Sequence, residues 1–310
     1  MKKERITGAL VKTVTPYDGE GRVDIETFAR YIAFVKAEGA ESILVPSVLG
    51  DSDLLTFEEK LSLVKCAVQT AGDTAMIIAE VSGEEVPAGK QAEEYLKAGA
   101  DAVCLRYRFT TEEEYEALVD EVIKAGAEYV VLTDYGPGGF DMNTGARRAA
   151  GIPFDEILKL YETREQVKSV IISVPLNETG SKCTRLCEKT DHKLNIIADT
   201  ATDQIPEQID RGAEAFTTGA FVKVFNAIYK QFTGEDKEAG RKLFFTFLRV
   251  IVWTKQGKPR ESYLTQLYLQ EKGMIPCVSF RREVKIDEYM ERYGREMVTL
   301  AVETEKECRS

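Results

Sequence analysis

Gly39-Ala40-Glu41-Ser42-Ile43-Leu44-Val45 joins the end of an amphipathic stretch to a short apolar run, and the same junction returns three times along the chain. Gly99-Ala100-Asp101 leads into Ala102-Val103-Cys104-Leu105. Gly126-Ala127-Glu128 leads into Tyr129-Val130-Val131-Leu132, and Gly212-Ala213-Glu214 into Ala215-Phe216-Thr217-Thr218. A glycine after a helix adopts the left-handed backbone at little cost, so each junction reads as a helix stop followed by a tight turn into a buried strand. Helices that alternate with buried strands imply parallel pairing through right-handed crossovers. The recurring turn therefore predicts an α/β fold.

Working outward from it, strands are expected near residues 8–14, 42–46, 75–81, 101–106, 128–133, 168–174, 194–199 and 214–218. Helices are expected between them, for example Ile25 to Lys36, Phe57 to Gln69 and Glu112 to Lys124. Asp24 and Thr56 are candidate N-caps, and Glu59 stands three residues after Thr56, the spacing of a capping box. Eight such units fit a (β/α)8 TIM barrel, a fold of about 250 residues, although an open doubly wound sheet also accommodates the count. Beyond the eighth strand the pattern is helical, near 221–232, 236–255, 260–272 and 286–305. The predicted organisation is a barrel over 1–232 and a C-terminal helical extension over 233–310 packed on it. One segment exceeds a minimal unit: Gly136-Pro137-Gly138-Gly139-Phe140-Asp141-Met142-Asn143-Thr144-Gly145 follows the fifth strand. A substrate-contacting loop and a surface insertion both account for it.

The formal charge of −11, without a basic cluster, argues against nucleic acid as the main partner. No apolar run has the length of a membrane span, and the N-terminus lacks the features of a secretory leader. The six cysteines, Cys66, Cys104, Cys183, Cys187, Cys277 and Cys308, are scattered, and most fall in predicted elements, which suits a reducing, cytoplasmic setting. Cys183 and Cys187 share a helical spacing and precede Asp191 and His192. Four Cys or His ligands are usual in a structural zinc site, and His192 is the only histidine, so no metal is expected. Gly136 to Gly139 lacks the lysine and hydroxyl of a phosphate cradle, and no cofactor is expected.

Thr15-Pro16-Tyr17-Asp18-Gly19-Glu20-Gly21-Arg22-Val23-Asp24 resembles the opening signature of the dihydrodipicolinate synthase and N-acetylneuraminate lyase family: a Thr-Pro-aromatic turn, a glycine, then an apolar-Asp pair at the first helix. Leu55-Thr56-Phe57-Glu58-Glu59-Lys60, Ile77-Ile78-Ala79, and Lys258-Pro259-Arg260 through Gly273-Met274-Ile275-Pro276 extend the resemblance over nearly the whole chain. It implies the barrel, lyase chemistry of the aldolase type on a 2-oxo acid, and a homodimer or homotetramer with Arg106 to Thr110 near the subunit contact. The family's Schiff-base lysine on strand six falls at or beside Ile171. Its Gly-Thr-Thr-Gly-Glu loop reads Ser47-Val48-Leu49-Gly50-Asp51, and its strand-five tyrosine falls on Leu132, Thr133 or Asp134, with Tyr135 the nearest phenol. Lys168 opens the strand-six run and so belongs to the amino end of the barrel, opposite the catalytic mouth.

The site is therefore expected to be rebuilt. Lys12 and Glu80 replace residues that the resemblance makes small, and each is costly to bury without a partner, so they are expected to meet. With Tyr135 they are the candidate catalytic residues: Lys12 as the replacement amine, Glu80 and Tyr135 as proton carriers. The other reading, which the poor nucleophilicity of an ion-paired lysine favours, is a buried ion pair plugging a defunct pocket. Ser47, Arg106, Arg108, Thr133, Asp134 and Ser173 are the candidate substrate-binding residues, the two arginines because guanidinium groups grip carboxylates in a bidentate manner. An inter-subunit ion pair is the other reading of those arginines. Two functions follow: a lyase acting on a small 2-oxo acid or related carboxylate, or an inactive barrel that binds a small anion or serves as a non-catalytic subunit.

Overall fold

A computed structural model of the chain describes residues 4–83, 85–106, 111–135, 139–140, 147–148, 151–174, 176–199, 202–256 and 258–308. Eight parallel strands follow one closed order: β1 (Gly8–Lys12), β10 (Ala213–Thr218), β9 (Asn195–Ala198), β8 (Val167–Ser173), β5 (Val130–Tyr135), β4 (Ala102–Arg106), β3 (Met76–Val81) and β2 (Ser42–Val45). This is the (β/α)8 barrel. Two residues each of β6 (Gly139–Phe140) and β7 (Arg147–Arg148) form a separate antiparallel ladder. The remainder of the glycine-rich segment lies outside the described residues.

The four recurring glycines end their helices as their sequence context predicts. Gly39, Gly99, Gly126 and Gly212 have φ of 93°, 101°, 102° and 98°. At the end of α1 (Ile25–Ala37), Gly39 N–H donates to Lys36 O at 3.0 Å and Ala40 N–H to Val35 O at 2.9 Å. These two bonds satisfy helix carbonyls that otherwise lack donors. The same pair of bonds closes α3 (Ala88–Lys97) through Gly99 and Ala100, and α4 (Glu112–Lys124) through Gly126 and Ala127. A side chain at any of these glycines would have to take a backbone that L-residues rarely adopt. Helix starts are equally legible: Asp24 caps α1, and Thr56 with Glu59 forms the capping box of α2 (Phe57–Ala71).

The contacts divide the chain into two units, Gly8–Ile77 with Thr217–Ser310, and Lys2–Thr7 with Ile78–Phe216. In the first, β1 pairs with β2 through Leu10↔Ser42, Val11↔Ile43 and Lys12↔Leu44. α8 (Val222–Thr233) is tied to β1 by Asn226, which accepts from Ala9 N–H at 2.8 Å and donates to Gly39 O at 2.9 Å. Gly8 lies so near that a Cβ there would stand 2.4 Å from the Asn226 amide oxygen. The last three helices, α9 (Lys237–Thr254), α10 (Lys258–Glu271) and α11 (Glu288–Glu307), pack on one another in this unit. Phe221, at the N-cap of α8, packs on Phe247 of α9 and Tyr268 of α10 with ring centroids 5.4 and 4.8 Å away.

The second unit holds β4, β5, β8, β9 and most of β3 and β10, with α3, α4, α5 (Phe154–Thr163), α6 (Leu176–Lys189) and α7 (Ile205–Asp210). Its register sets Glu80 beside Cys104, and places Arg106, Thr133, Ile171 and Ile197 in one row. At the amino end Asn195 accepts from Ile6 N–H and donates to Ile6 O, both at 3.0 Å. Ser169 donates to Asn195 at 2.9 Å and shares a 2.6 Å hydrogen bond with Tyr129. Among the described residues no helix is long and apolar enough to cross a membrane.

Candidate functional site

The two faces of the second unit's strands are told apart by Asp134. Its carboxylate is fully buried, accepts from Ile152 N–H at 2.6 Å, and pairs with Lys182 of α6 at 2.7 Å. Those partners belong to the helical layer, so Asp134 faces outward. Strand side chains alternate, so the row containing Arg106, Thr133 and Ile171 faces the barrel interior. Arg106 and Thr133 lie near the carboxyl ends of their strands, where barrel enzymes carry their chemistry.

Three polar contacts among the described residues belong to this interior layer. Glu80 of β3 accepts a hydrogen bond from the Arg106 guanidinium of β4, and both side chains are buried. Cys104 and Thr133 share a hydrogen bond of 2.9 Å. Ser173, at the end of β8, donates to the Asp199 carboxylate at 2.5 Å. Burial, reinforced by the Glu80 charge, pushes the Cys104 thiol up to about 12, so it stays protonated near neutral pH and is no nucleophile. A buried carboxylate and guanidinium are expensive to desolvate, and hydrogen bonding to each other offsets much of that cost. This layer combines a fixed cation, a carboxylate and hydroxyls on adjacent strands.

The first unit presents a different set. Lys12, at the end of β1, is buried and lies 3.6 Å from Glu261 of α10. The Ser47 hydroxyl is consumed structurally: it donates to Thr13 O at 2.9 Å and accepts from Leu49 N–H at 3.2 Å. Thr15 donates to Gly50 O at 2.7 Å, which ties the segment after β2 to the end of β1. Gly50 has no room for a side chain, since a Cβ there would stand within 2.6–2.8 Å of Thr13 and Thr15 atoms. The segment following α10 returns to the same loop, where Arg281 pairs with Glu59 and Arg282 with Asp51.

The candidates among the described residues divide between the two units. Glu80, Arg106, Thr133 and Ser173 come together on the interior of one unit. Asp134 is on the outward face there, held by Lys182, and Ser47 caps a turn in the other unit. Lys12 has Glu261 and Glu80 has Arg106 as partners within their own units. Tyr135 ends β5, but its side chain lies outside the described residues, as do Arg108, Phe109 and Thr110. Lys168 is exposed at the amino end of β8, its amine 5.4 Å from the Tyr129 ring centre, while Ile171 is buried. A surface cleft lined by Asp120, Tyr161, Arg164 and Val167 also lies at that amino end. Cys187 shares a hydrogen bond with His192 at 2.8 Å, and no cluster of three metal-ligating side chains occurs among the described residues.

Sequence reasoning missed Cys104, Asp199 and Glu261. Cys104 sits on β4 and Asp199 directly follows β9, positions that a register assignment would have flagged. Glu261 had no signal, because only the docking of α10 brings it to β1.

Comparison with known proteins agrees with this fold. The model of the Dihydrodipicolinate synthetase family matches residues 5–143. The 4-hydroxy-tetrahydrodipicolinate synthase of Chlorobaculum parvum is 26% identical over 237 residues, covering 71% of this chain and 77% of that one. A dihydrodipicolinate synthase structure from Rhodopseudomonas palustris superposes with a TM-score of 0.81 at 17% identity, covering 97% of this chain and 99% of that one. The N-acetylneuraminate lyase of Fusobacterium nucleatum superposes with a TM-score of 0.77 at 14% identity, covering 98% and 99%. Residues 5–143 thus match the Dihydrodipicolinate synthetase family, and the (β/α)8 barrel is shared with solved structures of a dihydrodipicolinate synthase and an N-acetylneuraminate lyase.

Proposed function

We propose that the protein is a dihydrodipicolinate synthase-like lyase or aldolase acting on a small 2-oxo acid or related carboxylate through a rebuilt site. One observation carries this reading: the buried Glu80–Arg106 pair on the interior face near the carboxyl ends of β3 and β4. A ligand carboxylate competes for the Arg106 guanidinium, which suits bidentate recognition, and its arrival frees Glu80 to act as a base. In the cleavage direction Glu80 takes the proton of a hydroxyl on the carbon next to the breaking bond. That carbon becomes a carbonyl, the carbon–carbon bond breaks, and its electron pair settles on the 2-oxo acid fragment as an enolate, which Arg106 stabilises. Protonation of the enolate completes the step, and no imine is required. Lys12 and Tyr135 are the further catalytic candidates. An ion-paired lysine keeps its proton, so Lys12 enters as a cation and not as an imine-forming amine.

A second reading, an inactive barrel that binds the anion, is favoured by the placement of the only β8 lysine, Lys168, at the exposed amino end. Thermal unfolding across a panel of 2-oxo acids, sugar acids and phosphates tests both readings. Binding at a hundred times the dissociation constant raises stability by about 2.7 kcal/mol. A 2-oxo acid is expected to protect the wild type. Arg106→Lys, which keeps the charge and loses the fork, is expected to bind it more weakly. Equal protection of the variant overturns the role of Arg106. Protection of the wild type without conversion of the ligand in either direction selects the binding reading. Borohydride with pyruvate is expected to leave no adduct on β8, and an adduct on Lys168 would restore imine chemistry. Self-association as a homodimer or homotetramer belongs to the same proposal and is read by light scattering. So does a reducing, cytoplasmic setting, which the six free thiols support.

A further inference from the structure

Lys12 and Glu261 form an ion pair that is too long for a hydrogen bond, 3.6 Å, between a buried ammonium and a carboxylate still 24% exposed. Glu261 does not depend on Lys12 for its position. It sits in the first turn of α10, where the helix dipole favours a negative charge. The next residue, Ser262, donates to Leu49 O at 2.9 Å, which pins that turn to the loop after β2. One turn further on, Thr265 is fully buried and its hydroxyl has no hydrogen-bond partner among the described residues. It packs so closely on Gly219 that a Cβ there would stand 2.3 Å from the hydroxyl oxygen. The tail helix is thus seated on the end of the barrel's first unit, with a carboxylate aimed at Lys12.

We infer that Glu261 is a built-in occupant of a carboxylate position at Lys12, so that the tail helix determines which anions reach that lysine. A loose, partly hydrated pair is exchangeable, and an incoming carboxylate that hydrogen-bonds the ammonium directly replaces a weaker contact with a stronger one. Glu261 also repels anions while it stays close, which selects small monocarboxylates over multiply charged ligands. The inference deepens the proposed function, resting on the reading that the barrel takes a small carboxylate and adding a residue that sets selectivity.

The test uses the full chain labelled with ¹³C-lysine. The titration of Lys12, assigned by its loss in Lys12→Met, is followed by NMR in the wild type, Glu261→Gln and Glu261→Asp. Removing the counter-ion is expected to move the Lys12 midpoint to lower pH in Glu261→Gln, with Glu261→Asp between the two. Acetate and pyruvate are expected to bind Glu261→Gln about tenfold more tightly than the wild type, and the gain is expected to vanish in Glu261→Gln/Lys12→Met. An unmoved Lys12 midpoint, no gain in affinity, or a gain that survives loss of Lys12 overturns the inference. The proposed function fails separately: if no carboxylate binding responds to Arg106→Lys while Glu261→Gln still gains affinity through Lys12, the inference stands and the Arg106 reading falls.

Discussion

The two ends of the second unit are both polar inside, and they are built differently. At the amino end Asn195, Ser169, Tyr129 and the backbone of Ile6 form a neutral network in which one amide satisfies both backbone groups of a residue. Toward the carboxyl end the interior holds Glu80 and Arg106, a carboxylate and a guanidinium, with Ser173 on Asp199 beyond them. Neutral groups that are fully hydrogen-bonded close a barrel at modest cost. A buried ion pair stabilises a fold no better than well-packed apolar residues of the same volume would, so its presence at one end calls for another explanation than stability. The contrast separates a floor that holds the fold from a layer able to do chemistry.

Breaking the charged layer should have the largest effect. Arg106→Met removes the guanidinium from a buried carboxylate and is expected to cost about 3–5 kcal/mol in chemical denaturation. Replacing both members, Glu80→Leu with Arg106→Met, should return stability close to the wild type while abolishing protection by 2-oxo acids. A double variant as unstable as Arg106→Met would mean that the pair is part of the floor, and the contrast would collapse.

The amino acids of both ends were visible in the sequence, but their partners were not. The recurring Gly-Ala-acidic turn was legible because a glycine at a helix C′ position answers a purely local demand, and the observed φ values near 100° are that demand met four times. Capping by Asp24 and Thr56 was legible for the same reason. Lys12, Glu80, Arg106 and Asp134 all stood out as charges in apolar runs. Pairing them requires the register between strands, and a slip of one residue turns every side chain to the other face. Asp134 shows the consequence: one position from the inward Thr133, it faces the helices and Lys182. Glu261 lay further out of reach, since helix docking follows from tertiary packing and no local pattern in 258–271 announces it.

The floor has its own test. Asn195→Leu leaves the Ile6 N–H and C=O without their amide partner and is expected to cost about 2–3 kcal/mol. Ligand protection should survive in full, because the change lies at the opposite end of the strands from Arg106. Loss of binding with the fold intact would show that the two ends are coupled.

Cys104 sharpens the contrast through reactivity. Its thiol, pushed up to about 12, is ionised on the order of one part in 10⁴ at pH 8, so a maleimide should pass it by. Cys277, the exposed cysteine, should react first. Early labelling of Cys104, located by peptide mass spectrometry, would mean that the interior layer opens to solvent far more readily than its burial implies.

The smallest effect is expected from the ion pair at the rim of the floor. Arg5 donates to Glu214, with side chains 36% and 26% exposed, and its guanidinium also reaches Lys193 O at 2.9 Å. Exposed pairs lose most of their Coulomb energy to solvent and to the entropy of holding two long side chains, so Glu214→Gln should cost less than about 1 kcal/mol. Salt separates it from its buried counterpart. At 1 M ionic strength the screening length falls to about 3 Å, which should erase the Glu214→Gln penalty while leaving that of Arg106→Met almost unchanged, because mobile ions do not enter the barrel interior. Denaturation of both variants at low and high sodium chloride measures this directly. If the Arg106→Met penalty shrinks with salt as the Glu214→Gln penalty does, then solvent and ions reach the Glu80–Arg106 pair, and the distinction between a dry charged layer and a wet rim fails.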